Sequence, residues 1–151
     1  MTFERITTFR APLADVFRFF SDTRNLLQIT PRSMHFKVLS APDRPLREGD
    51  RTRYRLRIAG IPVSWTTIIT GWRENASFTD EQERGPYRLW RHTHTFRETQ
   101  PGLVEMHDRV DYELPLGSLG RFAAGWFVRR QLQAIFDYRA AAIRDLFETH
   151  S

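Results

Sequence analysis

The sequence predicts an α+β fold built on an antiparallel sheet. Three observations carry this. Seven segments alternate apolar and polar residues at the period of a strand, and six of these follow one another through short turns. Two short helical segments stand between the first strand and the rest. From Ser118 onward the apolar residues recur at the spacing of a single long helix. Hairpin-linked strands with helices grouped apart read as α+β. The 151 residues suit one domain, and no linker, repeat or low-complexity segment divides them.

The elements follow in order. "TFERITTFR" (2–10) sets Phe3, Arg5, Thr7 and Phe9 against Glu4, Ile6, Thr8 and Arg10, a strand alternation. "APLADVFRFFSD" (11–22) starts a helix: Pro12 suits the first turn, Asp15 suits the N-terminal dipole, and Val16, Phe17 and Phe20 make an apolar edge. "TRNLLQITP" reads as a second short helix that stops before Pro31. "MHFKVLSA" (34–41) is a strand, and "EGD" (48–50) is a turn. "RTRYRLRIAG" places Tyr54, Leu56 and Ile58 opposite Arg51, Arg53, Arg55 and Arg57. Gly60 and Pro62 mark a tight connection into "VSWTTIITGW" (63–72), whose two faces both look apolar. "SFTDEQE" (77–83), "LWRHTHTFRE" (89–98) and "LVEMHDRVDYELP" (103–115) complete the strands.

The last segment has no proline. Val128, Leu132, Ile135, Phe136, Ile143, Leu146 and Phe147 recur every three or four residues. Phe122, Trp126 and Phe127 extend the apolar side, Ser118 suits an N-cap, and Gly125 either bends the helix or admits a close neighbour. "GWFVRRQL" reads as core packing beside a solvated edge.

Composition limits the function. Without cysteine, disulfides, thiolate chemistry and cysteine-ligated metals are out. No apolar run opens the chain and none reaches about 18 residues, so neither a signal peptide nor a membrane span is expected. A cytoplasmic location is expected. The net charge of +5 invites a nucleic-acid reading. However, the basic residues are scattered and no nucleic-acid motif accompanies them, so the arginines of 51–57 read as a solvated sheet face and no nucleic acid is expected as a partner.

Three blocks carry a family likeness. The first is Phe78, Asp80, Gln82, Gly85, Pro86, Tyr87, Trp90, His92, His94 and Phe96. The second is Met106, Asp108, Val110, Tyr112, Leu114, Pro115, Gly117, Leu119 and Gly120, and the third is "VRRQLQAIFDYR" (128–139). Together they resemble a bacterial subgroup of the START-like (SRPBCC) superfamily, which also takes in birch-pollen-allergen-like proteins and polyketide cyclases/dehydrases. The resemblance covers nearly the whole chain. It implies a helix-grip fold: a seven-stranded curved antiparallel sheet wrapped around a long C-terminal helix, with a ligand cavity between them.

Alternation then names the cavity wall. The third strand offers Tyr54, Leu56 and Ile58, and the fourth offers either the Trp65, Thr67, Ile69 set or the Ser64, Thr66, Ile68 set. The next three strands offer Phe78, Asp80 and Gln82; Trp90, His92, His94 and Phe96; and Met106, Asp108, Val110 and Tyr112. Phe127 and Ile135 come from the helix. Apolar walls with a few placed polar groups are how ligand pockets are built.

The polar subset has several readings. It is a satisfied internal network, a site that bonds a carbonyl or hydroxyl of an apolar ligand, or an acid/base pair of His92 or His94 with Asp108 or Asp80. A metal at His92 and His94, with Asp108 as third ligand, has only their shared face behind it. No metal or cofactor is expected. His107 falls on the outward parity, His35 has a weak claim, and His150 stands in the terminus.

The leading expectation is therefore a small-molecule binding domain for an apolar or aromatic ligand: a lipid, a polyketide-like compound or an isoprenoid. The alternative is a cyclase or dehydratase with catalytic residues among His92, His94 and Asp108. A third is a regulatory or interaction protein with an incidental cavity.

Overall fold

The structure, a computed structural model, describes residues 1–115 and 117–148; His150 lies outside the described residues. The sheet has seven antiparallel strands: β1 (Thr2–Arg10), β2 (Lys37–Ser40), β3 (Arg51–Ile58), β4 (Ile61–Arg73), β5 (Ser77–Arg84), β6 (Leu89–Gln100) and β7 (Leu103–Glu113). They lie in the order β1-β7-β6-β5-β4-β3-β2. The meander from β2 to β7 thus ends against β1, and Phe3 faces Val110 across that closing pair. α1 is Leu13–Phe20 and α2 is the 31-residue Ser118–Glu148.

Local chemistry explains the connections. β3 and β4 are joined by Ala59 and Gly60, both at positive φ (51° and 80°), the two-residue turn that matches strand twist. Gly71 (φ 65°) sits where the β4–β5 register shifts, and it bends the long fourth strand. α1 buries the expected Val16, Phe17 and Phe20. Phe17 meets Trp72, Phe78 and Phe96 edge-on at 5.2–5.8 Å, so α1 is pinned to β4, β5 and β6.

Two expected elements are altered. The second short helix forms as a 3-10 segment, Thr23–Ile29, because Asp22 accepts from Arg24 N and starts a tight turn there. The strand expected over 34–41 shrinks to Lys37–Ser40. Arg32–Met34 takes up a 3-10 turn and His35 adopts a left-handed conformation (φ 46°), which breaks the extended run.

Two apolar clusters lie on the concave face. One gathers Phe9, Val16, Phe17, Phe20, Ile69, Phe78, Phe96, Val104, Met106 and Ile143. The other gathers Phe3, Val110, Tyr112, Leu114, Val128, Leu132 and Phe136. α2 reaches both through one buried stripe, Val128, Leu132, Phe136, Ala140 and Ile143. Burying that stripe offsets the ordering of a long helix that packing, not propensity, holds in place.

The N-terminal half of α2 departs from the apolar side expected for it. Phe122, Trp126 and Phe127 are exposed, and Arg130 stacks over the Trp126 ring at 4.9 Å. Gly125 does admit a neighbour: a Cβ there would lie 3.4 Å from Met1 Sδ.

Candidate functional site

The three central strands bring four polar side chains together between the two clusters. Asp80 on β5 stands opposite His92 on β6, and His94 stands opposite Asp108 on β7. Side chains two apart on a strand share a face. The four therefore meet on the concave side, with Phe78, Phe96 and Met106 on one flank and Trp90, Val110 and Tyr112 on the other. Asp108 Oδ1 lies 2.8 Å from His92 Nε2 and 3.1 Å from His94 Nδ1; the second contact is too oblique for a hydrogen bond. Asp80 Oδ2 lies 2.8 Å from His94 Nε2 and 4.0 Å from His92 Nδ1. The two imidazoles stack with centroids 3.8 Å apart, sandwiched between the carboxylates. Phe78 lies on the other side of His94 at 4.3 Å.

Burial disfavours charge here, but the partners reverse its effect on three of the four groups. Asp108 is fully buried, yet its contacts with His92 and His94 hold it far below the usual carboxylate range. Asp80 is also held low against burial, by His94 and by the charges of His92 and Arg139. The histidines move apart. Burial, helped by the charge of His94, pushes His92 down, while the two carboxylates overcome burial and raise His94. His94 is thus the ring that takes a second proton more readily. Neutral His92 gives its Nε2–H to Asp108 and keeps its lone pair on Nδ1.

A cavity of about 160 Å³ opens over this cluster, between the sheet, the 3-10 segment and α2. A closed apolar cavity of about 150 Å³ holds one benzene ring; this one opens to solvent, so a larger ligand would seat one ring in it and extend outward. Of the expected wall residues, Tyr54, Leu56, Ile58, Trp65, Phe78, Asp80, Trp90, His92, His94 and Ile135 line it. The open choice on β4 resolves to Trp65, Thr67 and Ile69, all buried.

Seven expected residues do not line the cavity, for four reasons. Phe96 and Met106 are packed into the first apolar cluster, and Val110 and Tyr112 into the second. Gln82 is spent on the 85–88 turn: its amide donates to Tyr87 O (2.6 Å) and accepts from Tyr87 N (3.1 Å). Asp108 sits beneath the histidines. Phe127 shares a helix stripe with Gln131 and Ile135, but it lies two turns, about 12 Å, from Ile135. It is past the end of the cavity and 46% exposed.

Other lining groups were not expected. Thr23, Leu26 and Thr30 come from the 3-10 segment, Met34 and Phe36 from the turn after it, and Leu46 from a loop held by its own N–H on Ser21 O. Arg139 enters from α2, its guanidinium 5.0 Å over the Phe136 ring. It had a sequence signal: seven residues after Leu132, it is an arginine on the buried stripe. No carboxylate of the described residues pairs with it within 4.0 Å. Among the described residues, Arg139 Nε and Trp65 Nε1 are both buried donors without an acceptor. Burial raises the Tyr54 hydroxyl well above its usual range, so it too faces the cavity as a neutral donor.

Comparison with known proteins bears on this arrangement. Residues 9–136 match the family model described as polyketide cyclase / dehydrase and lipid transport. The chain belongs to that family. No curated protein matches it. Among solved structures, protein Ms6760 from Mycobacterium smegmatis superposes with a TM-score of 0.72 at 19% identity, over 99% of this chain and 92% of that one. A START superfamily protein from the same organism gives 0.71 at 13% identity, over 99% of both chains. The Zhui aromatase/cyclase from Streptomyces sp. R1128 gives 0.67 at 16%, over 97% and 95%. At such identities the structural likenesses bear on the fold, which is the helix-grip arrangement of the START-like superfamily. Among the described residues, no helix of this polyketide cyclase/dehydrase and lipid transport family member is long and apolar enough to cross a membrane.

Proposed function

We propose that the chain, as one domain over residues 1–151 acting in the cytoplasm, binds a hydrophobic or aromatic small molecule between the sheet and α2. The ligand is of lipid, polyketide-like or isoprenoid type. The observation that carries this is a ring-lined cavity with unused donors in its wall. Trp65 Nε1 and Arg139 Nε are buried without acceptors. An unsatisfied buried donor costs about 1–3 kcal/mol, and a ligand oxygen removes that cost. The ligand is therefore an apolar body carrying an acceptor oxygen.

Native mass spectrometry of freshly purified protein, and titration with the neutral probe N-phenyl-1-naphthylamine, test the reading. Wild type binds the probe, and Ile135→Trp, which fills the cavity, abolishes binding without unfolding the protein. Equal binding by both forms sinks it.

A second reading has its own support. His92 Nδ1 makes no hydrogen bond among the described residues, while Asp108 fixes its Nε2–H. A ring held in that tautomer is a general base facing the cavity, suited to a cyclisation or dehydration that begins by removing a proton from carbon. Turnover of aromatic poly-β-ketone compounds by wild type, with loss in His92→Ala, is the expected result. Equal turnover by His92→Ala and His94→Ala removes the reading.

A further inference from the structure

The His–Asp cluster has a property that neither an internal strut nor a ligand contact needs. Both imidazoles turn one nitrogen away from the cavity, toward Asp108, and the other toward Asp80. One carboxylate lies behind the pair and one lies in front. Metal-binding histidines show this pattern: one nitrogen ligates, and the opposite N–H is oriented by a buried carboxylate; His92 has that hydrogen bond, and His94 Nδ1 lies 3.1 Å from the same carboxylate. We propose that His92 Nδ1, His94 Nε2 and Asp80 Oδ2 form a binding site for a divalent first-row transition ion, with Asp108 as the positioning residue behind both rings.

The distances fit. The three residues offer donor atoms that all lie within 4.8 Å of one another. Asp80 Oδ2 is 2.8 Å from His94 Nε2 and 4.0 Å from His92 Nδ1. Neighbouring ligands on bonds of about 2.1 Å sit about 3 to 3.4 Å apart, so small rotations of the Asp80 carboxylate and the two imidazoles close the set. All three side chains face the cavity, which leaves the remaining coordination positions to water or a cavity ligand. Two imidazoles and one carboxylate on one side of an ion, with open positions opposite, suit Zn²⁺ and Fe²⁺. Asp108 is not itself a ligand, contrary to the set that the sequence suggested, because it lies beneath the rings and not at the cavity.

An ion here polarises a carbonyl or lowers the pKa of a bound water next to the aromatic walls. The proposal does not rest on the ligand reading, since ion binding is measured without any organic ligand.

The test strips the protein with EDTA and titrates it with Zn²⁺ by calorimetry and with Co²⁺ by visible absorption. Wild type takes up one ion per chain, and bound Co²⁺ shows ligand-field bands. Asp80→Asn and His92→Gln weaken Zn²⁺ about 100-fold or more and abolish the bands. Asp108→Asn keeps the bands but weakens Zn²⁺ about 10- to 100-fold, as expected of a group that only orients the ligands. A His35→Gln/His107→Gln variant binds as wild type. Circular dichroism confirms the fold of each variant, and Asp80→Asn, at a partly exposed side chain, carries the test if a histidine variant does not fold. Wild type that binds no Zn²⁺, or binding that survives Asp80→Asn and is lost in His35→Gln/His107→Gln, overturns the proposal.

Discussion

Asp108, wholly buried, accepts from His92 Nε2 at 2.8 Å, and this contact joins β6 to β7 at the point where the two apolar clusters meet. Removing one member of a buried charged pair costs about 3–5 kcal/mol, because it strands the other. Asp108→Ala is therefore expected to lose about that much in guanidinium unfolding, and Asp108→Asn, which keeps the volume and one acceptor, about 1–3 kcal/mol. Replacing the whole cluster by apolar residues of similar size costs less than Asp108→Ala alone. A loss below 1 kcal/mol in Asp108→Ala would show that the network adds little to stability.

Phe127 and Ile135 share a stripe of α2 but differ in what they face. Phe127→Ala is expected to change neither probe affinity nor stability by more than about 0.5 kcal/mol, as for other exposed positions. Ile135→Trp abolishes probe binding. Fluorescence titration of the two variants separates a wall residue from one beyond the cavity.

Arg139, which no carboxylate of the described residues meets within 4.0 Å, offers its charge to whatever enters the cavity. Wild type is expected to prefer 1-naphthoate over 1-naphthalenemethanol by about tenfold, or about 1.4 kcal/mol. In Arg139→Gln the preference falls to near one, with the affinity for the alcohol unchanged. Calorimetry of the two compounds against both proteins measures this. An unchanged preference in Arg139→Gln would locate acid recognition elsewhere.

Asp22 and Asp50 hold the segments that close the cavity. Asp22 bonds Arg24 at 2.6 and 2.9 Å, and Asp50 bonds Arg44 at 2.7 and 3.1 Å. These bonds hold both carboxyls below their usual range. Their folded pKa values are depressed, so their contribution is present above the unfolded value of about 3.9 and is lost as pH falls through it toward the folded values. Asp22→Asn/Asp50→Asn is expected to be less stable than wild type at neutral pH, and to show a flatter decline below about pH 4. Parallel declines in urea melts across that range would contradict this.

Much of the fold was legible because its signals are local. The alternation of Trp90, His92, His94 and Phe96 defines a face, and the helical period after Ser118 defines α2. The face of β4 was not legible, because both of its sides are apolar; packing decides it, with Trp65 against Tyr54 and Trp90 and Ile69 in the cluster around Phe17. The site was half legible. The histidines and aspartates were expected on one face, yet their pairing runs diagonally as well as straight across. His92 reaches Asp108 although its register partner on β7 is Val110.

The sequence by itself determined the order of strands and helices and which parity of β3, β5, β6 and β7 turns inward, because a strand's period of two depends on nothing beyond the chain. The tertiary structure alone decided what lies over each inward residue. Met106 and Asp108 share a parity, but Met106 meets α1 and the first apolar cluster while Asp108 lies beneath two imidazoles at the cavity floor. Whether a side chain packs, pairs or faces open space depends on where α1 and α2 come to rest across the sheet. That placement is a sum of many contacts between residues far apart in sequence, and no local pattern encodes it.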